Sequence, residues 1–167
     1  MDNQASDMEI KRAKQLHSVL LFNFIVIHIF IFVLAISMIK ASLVPMMLMP
    51  ALSLALLGFV MVKAKQAITG ESSQFVRCHM LLAARRARLF LGLFLITGTF
   101  TAVMYFGGPQ FGISKIASYS LAFGLGQLPF MVALLALIVL EFDAEHQCKS
   151  SKIPGAALAL DADSKTS

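Results

Sequence analysis

Charge is what this chain has least of. Only 14% of its 167 residues are Asp, Glu, Lys or Arg, against about 25% in an ordinary soluble domain. Hydrophobic residues make up 58%, and the mean hydropathy is +0.80. That balance argues against a water-soluble globule and makes lipid the expected solvent. Cysteine is scarce too. Cys78 and Cys148 both lie outside the long apolar runs, on the side assigned below to the cytoplasm, where a structural disulfide is not expected. No Asp or Glu falls inside a long apolar run, so intramembrane hydrolysis lacks its acids. No Ser/His/Asp order, phosphate loop or HExxH pattern occurs, and the chain is not expected to be an enzyme. Internal repeats are missing as well.

What is there is four apolar runs, at about residues 16–39, 43–62, 89–106 and 116–140. About 20 apolar residues span the hydrocarbon as a helix, so four runs use roughly half the chain and leave no room for a soluble domain. The first run is longer than a signal-peptide core of roughly 7–15 residues and lacks a small-residue cleavage site, so it is expected to stay as a span. The expected fold class is all-α: a polytopic membrane protein, built as a four-helix antiparallel transmembrane bundle. Residues 1–15 form an N-terminal tail, 16–140 the membrane domain with its connector at 63–88, and 141–167 a polar tail expected to be largely disordered.

Orientation follows from the basic residues. The connector carries Lys63, Lys65, Arg77, Arg85, Arg86 and Arg88 against one acid, Glu71. Three more Lys or Arg precede the first run and three follow the last, twelve in all, against Lys40 and Lys115 in the opposite links. Positive charge stays inside, so the connector and both termini are expected in the cytoplasm of a bacterial inner membrane. Tyr105 and Tyr119 then fall near the outer interface, which suits their amphipathic rings. The net charge of +5 sits beside the spans, where topology and anionic headgroups account for it without nucleic acid.

Local signals refine this layout. Pro50 lies deep in the second run and predicts a kink. Thr69-Gly70-Glu71 reads as a turn, and Ser72 or Ser73 as the cap of a following helix. On that helix Arg77, Arg85 and Arg88 fall within about 80° of one another, with Arg86 on the other side. All four arginines are expected to meet lipid headgroups or a docking partner. Ser120/Gly124 and Ala122/Gly126 are small-xxx-small pairs that allow close helix contact.

Three polar sets are candidates for chemistry. Counting depth at about 1.5 Å per residue brings His28, Ser53, Thr97 and Gln127 near the middle of their runs, with Asn23 about a turn and a half inward. Polar side chains at that depth should face the bundle interior, as interhelical hydrogen bonds or as a site where His28 titrates. His17 and His28 are stacked as two haems would need, within about 20° and roughly 16 Å apart, but no other run offers a second axial histidine. His17, Cys78, His79, His146 and Cys148 look like a zinc set near the inner surface. Cys78 and His79 point about 100° apart as helix neighbours, however, and His-x-Cys is not a usual ligand pair, so no metal or other cofactor is expected.

The expected function is therefore that of an accessory, assembly or scaffold subunit of a larger membrane complex. Its expected partners are membrane lipids, anionic headgroups included, and other membrane-protein subunits. The alternative is a small-solute, ion or proton conduit using the polar layer. In layout alone, four spans around a basic connector, the chain resembles small accessory proteins such as ATP synthase protein I.

Overall fold

The computed structural model describes residues 5–38, 41–42 and 44–164. Lys40 and Lys165, both counted above for orientation, lie outside the described residues. Among the described residues five helices follow one another: α1 Asp7–Met38, α2 Val44–Gly70, α3 Gln74–Phe111, α4 Lys115–Lys149 and α5 Gly155–Ser164. No strand occurs among the described residues. The first four helices are long and apolar enough to cross a membrane.

Each of these helices reaches beyond its apolar run. Ser6 starts α1 with a capping box: the Glu9 N–H donates to Ser6 Oγ, and the Ser6 N–H donates to the Glu9 carboxylate at 2.8 Å. Much of the expected N-terminal tail is therefore helix. α1 widens into π-helical turns over Asn23–Ile31 before returning to α-helix at Phe32–Met38. α2 runs through Pro50 and on to Gly70. Glu71, Ser72 and Ser73 turn the chain, and the Ser73 hydroxyl then accepts from the Val76 N–H at the start of α3. The basic connector is thus two helix ends and a tight turn.

The chain divides into two compact units, Met1–Arg88 with Ile138–Ser167, and Leu89–Leu137. In the first unit, Leu16, Leu20 and Phe24 of α1, Leu57 and Val60 of α2 and Val76 of α3 are all fully or almost fully buried. The polar tail departs from expectation here. In place of disorder, α4 continues to Lys149, and α5 buries Ala157 in a cluster with Cys78, Leu82 and Ala144. Arg77 holds α5 with two parallel bonds to Asp161, Nε to Oδ1 at 2.5 Å and Nη2 to Oδ2 at 3.2 Å. Its third arm donates to the Glu71 carbonyl at 2.9 Å. A forked pair of this kind is strong because both partners are charged and the geometry is planar. Composition alone cannot reveal it, since the partners are 84 residues apart.

The second unit is the C-terminal part of α3 and the N-terminal part of α4. α3 loosens into π turns over Val103–Gly107 and closes as a 3₁₀ turn over Gly108–Phe111. Gly112 then takes φ +79°, a conformation costly for residues with a Cβ, and Ser114 caps α4 by accepting from the Ala117 N–H. Phe90, Phe94 and Phe130 pack ring to ring, and Tyr105 stacks on Tyr119 with centroids 4.9 Å apart. The Ala122/Gly126 pair is used as anticipated for close approach. Thr101 Oγ1 donates to the Ala122 carbonyl at 3.2 Å, and a Cβ on Gly126 would overlap that same hydroxyl. Gly124 differs, because a Cβ there meets nothing within 4 Å.

These two glycines should separate cleanly in mutagenesis. Gly126→Ala is expected to destabilise the chain by roughly 1–3 kcal/mol through overpacking on Thr101, whereas Gly124→Ala should leave thermal unfolding in detergent unchanged.

Candidate functional site

The expected midplane residues are divided between the two units. Asn23 and His28 on α1 and Ser53 on α2 belong to the first and are buried. Thr97 and Gln127 belong to the second. His28 Nδ1 lies 3.1 Å from the carbonyl of Asn23, five residues back on its own helix. The Asn23 amide oxygen and nitrogen and the Ser53 hydroxyl are buried with no hydrogen-bond partner among the described residues. The Thr97 hydroxyl turns back to the Leu93 carbonyl at 2.7 Å, and Gln127 instead donates to Thr101 Oγ1 at 2.9 Å. Thr101 was not among the expected residues, although it stands one helical turn beyond Thr97 on the same face.

The four arginines divide two and two. Arg85 and Arg88 are exposed, whereas Arg77 and Arg86 are turned onto protein partners. Arg77 serves α5, as described. Arg86 leads into the most unusual part of the molecule.

That part is a buried polar cluster in the first unit, where α1, α3 and the end of α4 meet. His17, His79, Glu141 and Cys148 are each 0% exposed. The sequence places them there by heptads. On α3, His79 and Arg86 are seven residues apart; on α4, so are Glu141 and Cys148. Seven residues are close to two helical turns, so each helix presents its two groups on one face, about 10 Å apart. The pairs match in opposite order: Arg86 Nη1 is 3.3 Å from Glu141 Oε1, and His79 Nδ1 is 3.2 Å from Cys148 Sγ. His17 of α1 joins the two levels. Its Nδ1 is 2.6 Å from Glu141 Oε2, and its Nε2 is 3.3 Å from His79 Nδ1.

The partners dictate where the ring protons sit. A carboxylate only accepts, so His17 Nδ1–H donates to Glu141. A carbonyl only accepts, so His79 Nε2–H donates to the Lys152 carbonyl at 2.9 Å. The opposite nitrogens, His17 Nε2 and His79 Nδ1, then face each other. The rings meet edge to face, with centroids 5.5 Å apart and planes at 88°. Together with Cys148 Sγ, these two nitrogens form a set of ligand atoms all within 4.8 Å of one another.

Both His79 and Cys148 lie outside the apolar runs. Burial, with His17 and Arg86 adding to it, holds the His79 imidazole down at about 4, against the Lys152 hydrogen bond. Burial pushes the Cys148 thiol up to about 12, and Glu145 and Glu141 push the same way. In the protein alone, then, His79 is neutral and Cys148 is a thiol.

Spacing had set aside the five residues His17, Cys78, His79, His146 and Cys148 as a ligand set. Cys78 does point away from His79, into the cluster with Leu82, Ala144 and Ala157, and His146 is exposed. The other three converge, one from each of three helices, and spacing along a single helix says nothing about such a set. Glu141, the first residue of the tail expected to be largely disordered, is likewise enclosed, between His17 and Arg86.

The class defined so far is an all-helical chain with four helices apolar enough to cross a membrane and a buried His–His–Cys–Glu–Arg cluster near one end of them. No family model matches this chain, and no curated protein or solved structure is significantly similar to it.

Glu141 should be the costliest polar residue here to replace. Glu141→Leu leaves Arg86 and His17 without their buried acceptor and is expected to lower stability by about 3–5 kcal/mol, read as a fall in the detergent unfolding temperature. Glu141→Gln keeps an acceptor and should lose less.

Proposed function

We propose that the four long helices cross a bacterial inner membrane as an antiparallel bundle, with both termini and the α2–α3 turn on the cytoplasmic side. The exposed Arg85 and Arg88 would then lie at the level of anionic headgroups, each worth about 1 kcal/mol of attraction. Within this arrangement the protein acts as an accessory, assembly or scaffold subunit of a larger membrane complex, without catalysis of its own. The observation that carries this reading is the state of α3. Only 6% of its most apolar stretch is buried inside the chain, against 39% for α1. Its Gly92 and Gly98 open onto free space, where a Cβ would meet nothing within 4 Å. A helical stretch so little covered by its own chain, with small residues that permit close approach, suits packing against another subunit's helix.

One observation favours a second reading, a conduit for a small solute, ion or proton. Burying the Asn23 amide and the Ser53 hydroxyl without partners costs free energy, and a passing polar solute would recover it.

Orientation is checked with new cysteines, because Cys78 and Cys148 are both buried. A membrane-impermeant thiol reagent on intact cells is expected to label Lys115→Cys and to reach Lys65→Cys only after permeabilisation. The reverse pattern would overturn the topology. For the accessory role, gentle detergent extraction should recover a stoichiometric protein partner. A clean monomer with measurable solute flux that is abolished by His28→Ala or Gln127→Leu, with the fold intact, would decide for the conduit.

A further inference from the structure

We propose that His17, His79 and Cys148 form a metal centre that binds one d¹⁰ transition ion, Zn²⁺ or Cu⁺, through His17 Nε2, His79 Nδ1 and the Cys148 thiolate. The inference is independent of the accessory-subunit reading. It rests on the first unit alone.

Three features of the cluster converge on an ion. First, both imidazoles have their outward N–H engaged, His17 on Glu141 and His79 on the Lys152 carbonyl. Metal-bound histidines are held in this way, with a carboxylate or a backbone carbonyl fixing the ring and its tautomer from behind. Second, the two inward ring nitrogens are only 3.3 Å apart, and the sulfur is 3.2 Å from one of them. Two bare lone pairs at that distance would repel, so either a proton or a metal ion lies between them. Metal–nitrogen bonds of about 2.0–2.1 Å and a metal–sulfur bond of about 2.3 Å set ligand atoms a little over 3 Å apart, so small side-chain shifts complete the coordination. Third, the donors are two imidazoles and a thiol, a set that selects Zn²⁺ or Cu⁺ over the oxygen-seeking Mg²⁺ and Ca²⁺.

Binding is a ligand exchange with no change of oxidation state. The metal–sulfur bond forms as the Cys148 S–H bond breaks, and the proton leaves to solvent. With Cu⁺ the ion and the thiolate cancel. With Zn²⁺ one positive charge remains, and the Glu141 carboxylate behind His17 faces it through one imidazole. The ion would tie α1, α3 and α4 together and, through the Lys152 carbonyl on His79, the turn that leads into α5. The chemistry is that of a structural or metal-holding centre.

The test uses the full chain in detergent, purified on a tag without histidine and stripped with a chelator. Titration with Zn²⁺, and separately with Cu⁺ under reductant against a chromophoric chelator, should show one equivalent per chain. Co²⁺ as a stand-in for Zn²⁺ should give a near-ultraviolet thiolate-to-cobalt charge-transfer band. Cys148→Ser should abolish that band and weaken binding by more than about 100-fold, and Glu141→Gln should weaken it by about 10–100-fold through the ring it supports. Cys78→Ser and His146→Ala should bind as the parent does. The proposal fails if neither Zn²⁺ nor Cu⁺ binds stoichiometrically, the result expected if a proton rather than a metal sits between the rings. It also fails if binding survives Cys148→Ser or disappears in Cys78→Ser. Should Cys148→Ser not fold, the cobalt spectrum of the parent decides alone: no thiolate band, no centre.

Discussion

A carboxylate with no access to water is the strongest constraint on the first unit. Glu141 is enclosed among helices, where an imidazole N–H and a guanidinium reach its two oxygens. Those donors come from α1 and α3, so the ends of three helices must meet in one register or leave a buried charge unpaired. Desolvation makes that outcome expensive, and the penalty specifies the arrangement more sharply than apolar contact can. His79 and Cys148, two turns further along, inherit the same register.

The second unit is held differently. It depends on close approach, where Gly126 lets Thr101 reach the Ala122 carbonyl, and on aromatic packing of Phe90, Phe94 and Phe130. No described residue of this unit is acidic, and its basic member, Lys115, is at the start of α4. The chain therefore combines a polar, tightly specified region with an apolar one whose surface is largely left to its surroundings.

Which parts were readable in advance follows from the range of the interactions. Apolar runs, the Ser73 cap and the close-contact role of Ala122/Gly126 are each legible as pattern, whereas the turn expected at Thr69–Glu71 falls at Glu71–Ser73, because the helix runs on to Gly70. The order in the tail is not legible, because Arg77 and Asp161 are far apart in the chain, and an Ala-rich polar segment resembles disorder until its partner is in place. The same holds for the buried cluster. His79 with Arg86 and Glu141 with Cys148 do repeat at seven, a visible hint, but only packing says that the two faces meet. Gln127 was read as polar and inward, yet its partner proved to be Thr101.

By itself, the sequence determined that the chain is helical, that four of its helices are apolar enough for a bilayer, and where the positive charge concentrates. Those properties are sums over local residues, indifferent to what packs on what. Tertiary structure alone decided that His17, His79 and Cys148 share a small space, that Glu141 is buried and that residues 155–164 fold back as a helix. Each of these depends on side chains from separate helices coming within bonding distance, and bonding at 3 Å is a property of the fold and not of the order of residues.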